Sequence, residues 1–190
     1  MIRPDEVVRG VAGAWRLACF DPAGARFFEN TTSAFWRSFW AAVLVAPFYF
    51  FIVSPRIDAA ADGPLHAMLA ELAAYAVGWL AFPVAAHYLA GAWNYGERYL
   101  SYIGAYNWFS TVQVAAAVVV VFVARTGDFA DETLAVLGMM LTLAIWVYQF
   151  FIARVVLGAS VLHALVLAAA DELISYAIDA ALRLVHAGNA

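Results

Sequence analysis

Five apolar stretches of membrane-spanning length fill most of this chain of 190 residues. The hydrocarbon core of a bilayer is about 30 Å thick, and about 20 apolar residues in a helix cross it. The sequence therefore predicts an all-α integral membrane bundle of five helices, with residues 34–190 as the transmembrane domain. The spans are expected at about residues 35–53, 65–93, 106–123, 134–153 and 157–185.

The composition agrees with a membrane protein and disagrees with a soluble one. Hydrophobic residues make up 66% of the chain and charged residues 13%, whereas soluble domains are typically ~45–50% apolar and ~25% charged. A water-soluble protein of this size could not bury so much apolar surface, so the excess must face lipid. The absence of lysine and the abundance of alanine are typical of a GC-rich bacterial genome, which favours the bacterial inner membrane.

Motifs for catalysis, cofactors and nucleic acids are missing from the sequence. The single cysteine, Cys19, has no partner for a disulfide, and no cysteine or histidine spacing is typical of a metal site. No glycine-rich nucleotide loop and no zinc-binding His-Glu-x-x-His segment occurs. The arginines are dispersed along the chain and form no basic patch for a nucleic acid. We therefore expect no enzyme activity, no cofactor, no metal and no nucleic-acid partner.

Residues 1–33 are predicted to form an N-terminal interfacial segment. An amphipathic helix from Pro4 to Cys19 is expected to lie in the membrane interface. Asp21 followed by Pro22 is typical of a helix N-cap and first helical position, so a second short helix should run through Phe28. The apolar residues that recur at helical spacing in the first helix are Val7, Val8, Val11, Trp15 and Ala18.

Arginine and tryptophan placement predicts the orientation of the chain. Most arginines lie on the side of the N-terminus, and the positive-inside rule places that side in the cytoplasm. The N-terminus is thus expected to be cytoplasmic and the C-terminus periplasmic. Tryptophan prefers the membrane interface, and all but Trp79 of the span tryptophans lie toward the N-terminal side. These are Trp36, Trp40, Trp93, Trp108 and Trp146.

Ionisable residues within the predicted spans form a candidate polar cavity. A charged side chain at a helix centre costs about 2.5–3.5 kcal/mol on insertion scales, so each needs a partner or a path to water. Glu71 can alternatively lie near the outer interface, and each histidine can be a neutral, hydrogen-bonded core residue. The candidate residues are Glu71, His87, His163, Asp171, Glu172 and Asp179.

The start of the fifth helix decides how deep its acidic residues lie. No strong turn signal separates the fourth span from the fifth, and the helix can begin anywhere from Val155 to Val161. With the earlier start, Asp171 and Glu172 lie at the outer end of the span. With the later start, they lie near mid-bilayer, where Glu172, Ser175 and Asp179 would line a cavity. The sequence leaves both alternatives open.

A second set of residues is predicted to contact lipid or a partner at the inner interface. Tryptophan rings suit this layer, and long arginine side chains can reach headgroups from within a span. For the two arginines of the spans, snorkelling alone is the competing explanation. The candidate residues are Trp15, Arg16, Trp36, Arg37, Trp40 and Arg154.

The segment from Ile145-Trp146 to Ser160 and Ala164 carries a resemblance to a known family. A tryptophan in the fourth span leads through a short glycine-bearing connection into a Ser-x-x-x-Ala start. This plan resembles the Yip (Ypt-interacting protein) membrane family over about residues 35–185. The resemblance implies a compact five-helix membrane scaffold. The N-terminal acidic-Leu-Tyr-Gly-Pro signature of the eukaryotic members is absent, and Asp21-Pro22-Ala23-Gly24 does not match it, which argues against small-GTPase binding.

Two functions from different classes follow from these patterns. The first is a non-enzymatic scaffold, accessory or lipid- and partner-binding subunit, because the short loops offer no domain that could bind a soluble substrate. Its partners would be membrane lipids, together with other membrane proteins or a second copy of the chain. The alternative is a small ion or proton-coupled transporter or channel that uses the acidic residues of the second and fifth spans.

Overall fold

The structure is a computed structural model that describes residues 3–60, 63–127 and 129–187. Residues 1, 2 and 188–190, which the predicted segments included, lie outside the described residues. Within the described ranges the regular secondary structure is helical, with no strand. The α-helices are α1 (Pro4–Ala18), α2 (Thr32–Ser38), α3 (Trp40–Asp58), α4 (Pro64–Ala92), α5 (Tyr99–Thr126), α6 (Asp131–Ile152) and α7 (Val161–Ala187).

Short 3-10 and π segments join some of these helices. A 3-10 turn, Pro22–Phe27, follows α1, and its N-cap Asp21 accepts a hydrogen bond from the backbone N–H of Ala23. A second 3-10 turn, Gly96–Arg98, leads into α5. A π-helical turn, Ala153–Leu157, extends α6.

Five helical segments are long and apolar enough to cross a bilayer. Helices α2 and α3 follow each other directly and make the first, and the other four are built around α4 to α7. The segments are Thr32–Asp58, Pro64–Ala92, Gly96–Thr126, Asp131–Leu157 and Val161–Val185. The chain is therefore a polytopic, all-α membrane protein with five spans, as the sequence predicted.

The first span continues beyond its predicted end near residue 53, through Pro55. A proline inside a helix leaves the carbonyl four residues earlier without its N–H donor, and in lipid that carbonyl needs another partner. The carbonyl of Phe51 accepts hydrogen bonds from the Ser54 hydroxyl at 2.9 Å and from Arg125 of α5 at 3.1 Å. The Arg125 guanidinium also lies 4.5 Å from the centre of the Phe51 ring. These contacts allow α3 to run on to Asp58.

Helix α5, which forms most of the third span, begins at Tyr99, earlier than the predicted start near residue 106. The aromatic-rich segment before residue 106 is helical because it is part of the core. Tyr99, Tyr102 and Ile103 are all buried, and the Tyr99 hydroxyl donates to the carbonyl of Pro83 in α4 at 2.9 Å. The two tyrosine rings therefore pack inside the bundle, and the Tyr99 hydroxyl has its acceptor on α4.

Helix α7, which forms the fifth span, begins at Val161, the later of the two predicted starts. Gly158 ends the preceding π-helical turn in the left-handed conformation at φ +77°, and a Cβ there would lie 2.8 Å from the Arg98 guanidinium. The Ser160 hydroxyl then accepts from the backbone N–H of His163 at 3.2 Å, as an N-cap does. Asp171 thus lies about ten residues, or ~15 Å, into the helix, near the middle of a hydrocarbon core ~30 Å thick.

The five spans pack as two pairs with α6 beside them. Helix α3 packs against α5, α4 packs against α7, and α6 contacts both α5 and α7. The main core lies at the end of the bundle that carries α1, which we call the head side. The opposite end, where α3 and α7 finish, is the far side. Fully buried residues of the main core include Leu17, Phe82, Tyr102, Ile103, Ile152, Leu157 and Leu167.

Helix α1 packs on the head side through its small residues. Gly10, Gly13, Ala14 and Leu17 are buried, chiefly in the contact with the 3-10 turn and with α5. Three members of the apolar row expected from the sequence, Val8, Val11 and Trp15, remain exposed instead. The helix thus has a glycine-rich face on the bundle and an apolar outer face available to the membrane interface.

Candidate functional site

A network of ion pairs joins α3, α4 and α7 toward the far side. Arg56 lies 3.1 Å from Oε1 of Glu71 and 3.0 Å from Oδ1 of Asp179. The Tyr49 hydroxyl donates to Oε2 of Glu71 at 2.8 Å. Arg183, one turn beyond Asp179, donates to its Oδ2 from Nε at 3.0 Å. The structure therefore brings together two of the predicted cavity residues, Glu71 and Asp179, through an arginine between them.

Glu71 is the deepest member of this network, with 1% of the residue exposed. A buried carboxylate in a membrane helix needs a cation or several donors close by. Arg56 and Tyr49 supply both, and half of the Arg56 side chain is exposed, so the network extends from the interior to the surface. Among the described residues, Arg56 therefore links the buried Glu71 to the surface.

Asp171 forms a second buried polar group, closer to the head side. Oδ1 accepts a hydrogen bond from the Tyr106 hydroxyl at 2.6 Å, and Oδ2 accepts one from the side-chain amide of Gln149. These bonds join α5, α6 and α7 at one level. The adjacent Glu172 is exposed and lies 3.3 Å from the indole nitrogen of Trp146. Of these two neighbouring acids, Asp171 is therefore buried inside the bundle and Glu172 lies on its surface.

A cleft of about 380 Å³ lies between the α3–α5 pair and the α4–α7 pair. Tyr49, Arg56 and Asp179 of the ion-pair network stand in its wall, and so does Tyr106, the partner of Asp171. Apolar side chains make up much of the remaining wall. The polar residues that line the cleft are Tyr49, Arg56, Tyr75, Tyr106, Asn107, Ser110, Gln113, Ser175 and Asp179.

Three of the lining residues have polar groups without a partner in the described part of the chain. Asn107 is fully buried; its Nδ2 donates to the Ser38 hydroxyl at 2.8 Å, but its Oδ1 accepts no hydrogen bond there. Gln113, which is partly buried, and Ser175, which is exposed, likewise have no side-chain hydrogen bond among the described residues. Because Gln113 and Ser175 each lie near the middle of a span, these groups are at bilayer depth.

The two candidate histidines lie on the head side, away from the cleft. The His163 ring stacks on Trp93 with centroids 4.1 Å apart, and its Nδ1 lies 3.1 Å from the Tyr95 hydroxyl. The His87 ring packs edge-to-face with the Tyr99 ring, with ring centroids 5.1 Å apart. These contacts place both histidines in aromatic packing, and neither joins the carboxylates.

The tryptophans predicted to contact lipid present much of their surface on the head side. Trp15 is 61% exposed, Trp36 63% and Trp40 41%. Tryptophan combines an apolar ring with an N–H donor, which suits the boundary between hydrocarbon and water. The three rings therefore provide a surface of the kind that rests in a membrane interface.

The arginines of the same candidate set are engaged within the protein. Arg16 lies 2.7 Å from Asp21, whose pKa is lower than usual because the Ala23 backbone N–H and then Arg16 donate to its carboxylate. Arg37 lies 3.2 Å from Glu6. The third, Arg154, donates to the carbonyl of Ala159. Two of the three arginines are therefore paired with carboxylates, while Arg16 and Arg154 remain exposed, so contact with anionic lipid stays a prediction.

Sequence reasoning did not identify Tyr49 and Arg56 as partners of Glu71, or Asn107 as a residue of the cleft. One signal was available for Arg56. Arg56 lies near the end of one helix, and Glu71 lies about two turns into the next. If these two helices pack antiparallel, the two side chains can lie at a similar depth in the membrane. The only signal for Asn107 was a lone amide in an apolar run, which does not show which way the side chain points.

No metal site is formed by the described residues, since no group of three or more His, Cys, Asp and Glu side chains could hold an ion there. No family model, curated protein or solved structure matches this chain. The resemblance to the Yip family accordingly stays a prediction. The cleft and the two buried carboxylates are the candidate functional features of the described structure.

Proposed function

We propose that this protein is a non-enzymatic, multi-pass protein of the bacterial inner membrane that binds a small amphipathic molecule in the cleft. The observation that carries the proposal is a cavity of about 380 Å³ at bilayer depth, in which polar groups of Asn107, Gln113 and Ser175 have no partner within the described part of the chain. The positive-inside rule supports a cytoplasmic N-terminus, and the exposed tryptophans support contact between the head side and lipid headgroups.

The buried, unpartnered Oδ1 of Asn107 favours an occupied cleft over a passive gap between helices. Moving an amide or hydroxyl into an apolar medium without a hydrogen bond costs roughly 2–7 kcal/mol, depending on the reference medium. Water or a polar ligand in the cleft would remove that cost. The volume lies at the small end of the ~300–1,000 Å³ typical of ligand sites. Apolar lining such as Val45, Val114 and Leu182 suits a molecule that also has a hydrocarbon part.

Filling the cleft should abolish ligand binding. Gly78 lines the cleft, and a Cβ there would lie 3.9 Å from Ile178. Gly78→Leu should therefore fold and extend a side chain into the cavity. Purified protein in nanodiscs is exposed to diazirine-bearing single-chain amphiphiles with neutral, anionic and cationic heads, and the adducts are mapped by mass spectrometry. We expect saturable labelling of cleft residues with at least one probe, and loss of that labelling in Gly78→Leu.

Gly138→Leu is the matched control. Gly138 lies inside α6, outside the cleft, and a Cβ there meets nothing within 4 Å in the described structure. Its variant should label as the unmodified protein does. Labelling that never saturates, or that Gly78→Leu and Gly138→Leu reduce equally, would show that the cleft does not bind an amphiphile.

A transporter is the second candidate function, because two buried carboxylates adjoin the cleft through their tyrosine partners. Tyr49 and Tyr106 line the cavity while donating to Glu71 and Asp171. Proteoliposomes with an internal pH-sensitive dye measure proton flux under an applied gradient. If the protein transports protons, Glu71→Gln and Asp171→Asn should slow the flux, whereas Glu172→Gln at the exposed neighbour should not. Flux no faster than in empty liposomes would exclude proton transport.

A further inference from the structure

The charged side chains in the wall of the cleft already neutralise one another. Arg56 lies between the carboxylates of Glu71 and Asp179, and Asp179 also pairs with Arg183. Of these four residues only Arg56 and Asp179 line the cleft, and they pair with each other. A charged ligand head in the cleft would have to displace one of these partners or remain unpaired in a medium of low dielectric constant, and both cost free energy. The wall thus selects against phosphate, carboxylate and ammonium heads.

The groups that remain available are neutral and lie on two facing helices. Asn107 and Gln113 lie six positions apart on α5, or ~9 Å along the helix. Ser175 lies on α7 in the same cleft. The free Oδ1 of Asn107 can only accept, the Gln113 amide can donate and accept, and the Ser175 hydroxyl can do both. Hydroxyl groups of a ligand can meet all three requirements, because each hydroxyl donates one hydrogen bond and accepts others.

The apolar part of the wall suits a single hydrocarbon chain. Val45 and Ile52 of α3, Val114 of α5, and Ile178 and Leu182 of α7 line the cleft beside the polar groups. The volume of about 380 Å³ corresponds to roughly a dozen water molecules at ~30 Å³ each. A single acyl chain with a small head would extend beyond this volume into the lipid tails, and a second chain would lie wholly outside it.

We infer that the cleft takes an uncharged, hydroxyl-bearing, single-chain amphiphile of the monoacylglycerol class. This inference rests on the proposed function, since it names the ligand of the same cleft. The hydroxyl groups would lie against Asn107, Gln113 and Ser175, and the acyl chain against the apolar residues of α3 and α7.

Competition between three probes with one chain length tests the ligand class. Monolauroylglycerol, lauroyl lysophosphatidate and dodecyltrimethylammonium compete with the photoactivatable neutral amphiphile for labelling of the intact protein in nanodiscs. Monolauroylglycerol should compete at about tenfold lower concentration than either charged probe. Gln113→Leu should weaken its competition by about five- to tenfold, as expected for the loss of one or two ligand hydrogen bonds. Ser175→Ala should weaken it in the same direction.

Thr111→Val is the control on α5, because Thr111 lies outside the cleft and its hydroxyl bonds the carbonyl of Trp108. Its competition should equal that of the unmodified protein. Equal or better competition by a charged probe would overturn the inference and leave the proposed function standing, as would a Gln113→Leu variant that competes normally. Absence of saturable labelling by every head type would instead defeat the proposed function itself.

Discussion

Replacing Arg56 with leucine should destabilise the protein by about 2–3 kcal/mol, because it leaves the buried carboxylate of Glu71 without its cation. Breaking a buried pair by removing one partner typically costs ~3–5 kcal/mol. We expect the lower value because 51% of the Arg56 side chain is exposed. Unfolding in detergent by heat and by SDS, followed by tryptophan fluorescence and circular dichroism, measures the change.

A double variant separates the loss of the pair from the loss of the arginine itself. Glu71→Gln keeps a hydrogen-bond acceptor for Tyr49 and removes the charge, so Arg56→Leu in that background should cost much less than in the unmodified protein. Arg183→Leu is the control, since its side chain is 76% exposed and its pair with Asp179 lies on one helix surface. Equal losses from Arg56→Leu and Arg183→Leu would mean that the Arg56–Glu71 pair does not stabilise the bundle.

Gly10→Leu should release α1 from the bundle, with a loss of about 1–3 kcal/mol, as for overpacking of a close contact. A Cβ on Gly10 would overlap the indole of Trp108, and this residue is only 6% exposed. Trypsin should then cut the variant early at Arg9 and Arg16, while the five spans stay intact. Limited proteolysis followed by mass spectrometry of the fragments provides the readout.

Val8→Leu tests whether the effect is specific to the docked face. Val8 lies on the same helix, but it is 67% exposed. Its variant should resist trypsin as the unmodified protein does. If Gly10→Leu is equally resistant, the glycine face does not hold α1 on the bundle.

The spans could be predicted from sequence because lipid imposes length and apolarity on each of them. The ends of the spans were predicted less accurately, because contacts between helices decide where each one stops. Pro55 and the aromatic start of α5 look like interruptions in the sequence. Within the fold, Arg125 and Ser54 satisfy the carbonyl that the proline frees, and Tyr99 finds an acceptor on α4. A residue that ends a helix in isolation can continue it when a neighbouring helix supplies the missing hydrogen bond.

The candidate polar residues were found from sequence, but their grouping was not. Asp171 and Glu172 are adjacent, yet one is buried on Tyr106 and Gln149 and the other is exposed beside Trp146. Glu71 and Asp179 are far apart in sequence and meet through Arg56. The spacing of apolar residues along a helix separates its lipid-facing side from its protein-facing side only when the two sides differ in polarity. In these spans both sides are largely apolar, because a side that faces lipid tails must be as apolar as one that faces leucine side chains.

The sequence by itself determined that this protein is a five-span, all-α membrane protein with an amphipathic N-terminal helix. Hydrocarbon thickness and the cost of unpaired backbone groups leave no other fold for five such stretches. Only the tertiary structure decided that α1 docks through its glycines, that Arg56 joins Glu71 to Asp179, and that Asn107, Gln113 and Ser175 share one cleft. Those outcomes depend on which helix faces meet, and side-chain packing between helices sets that choice.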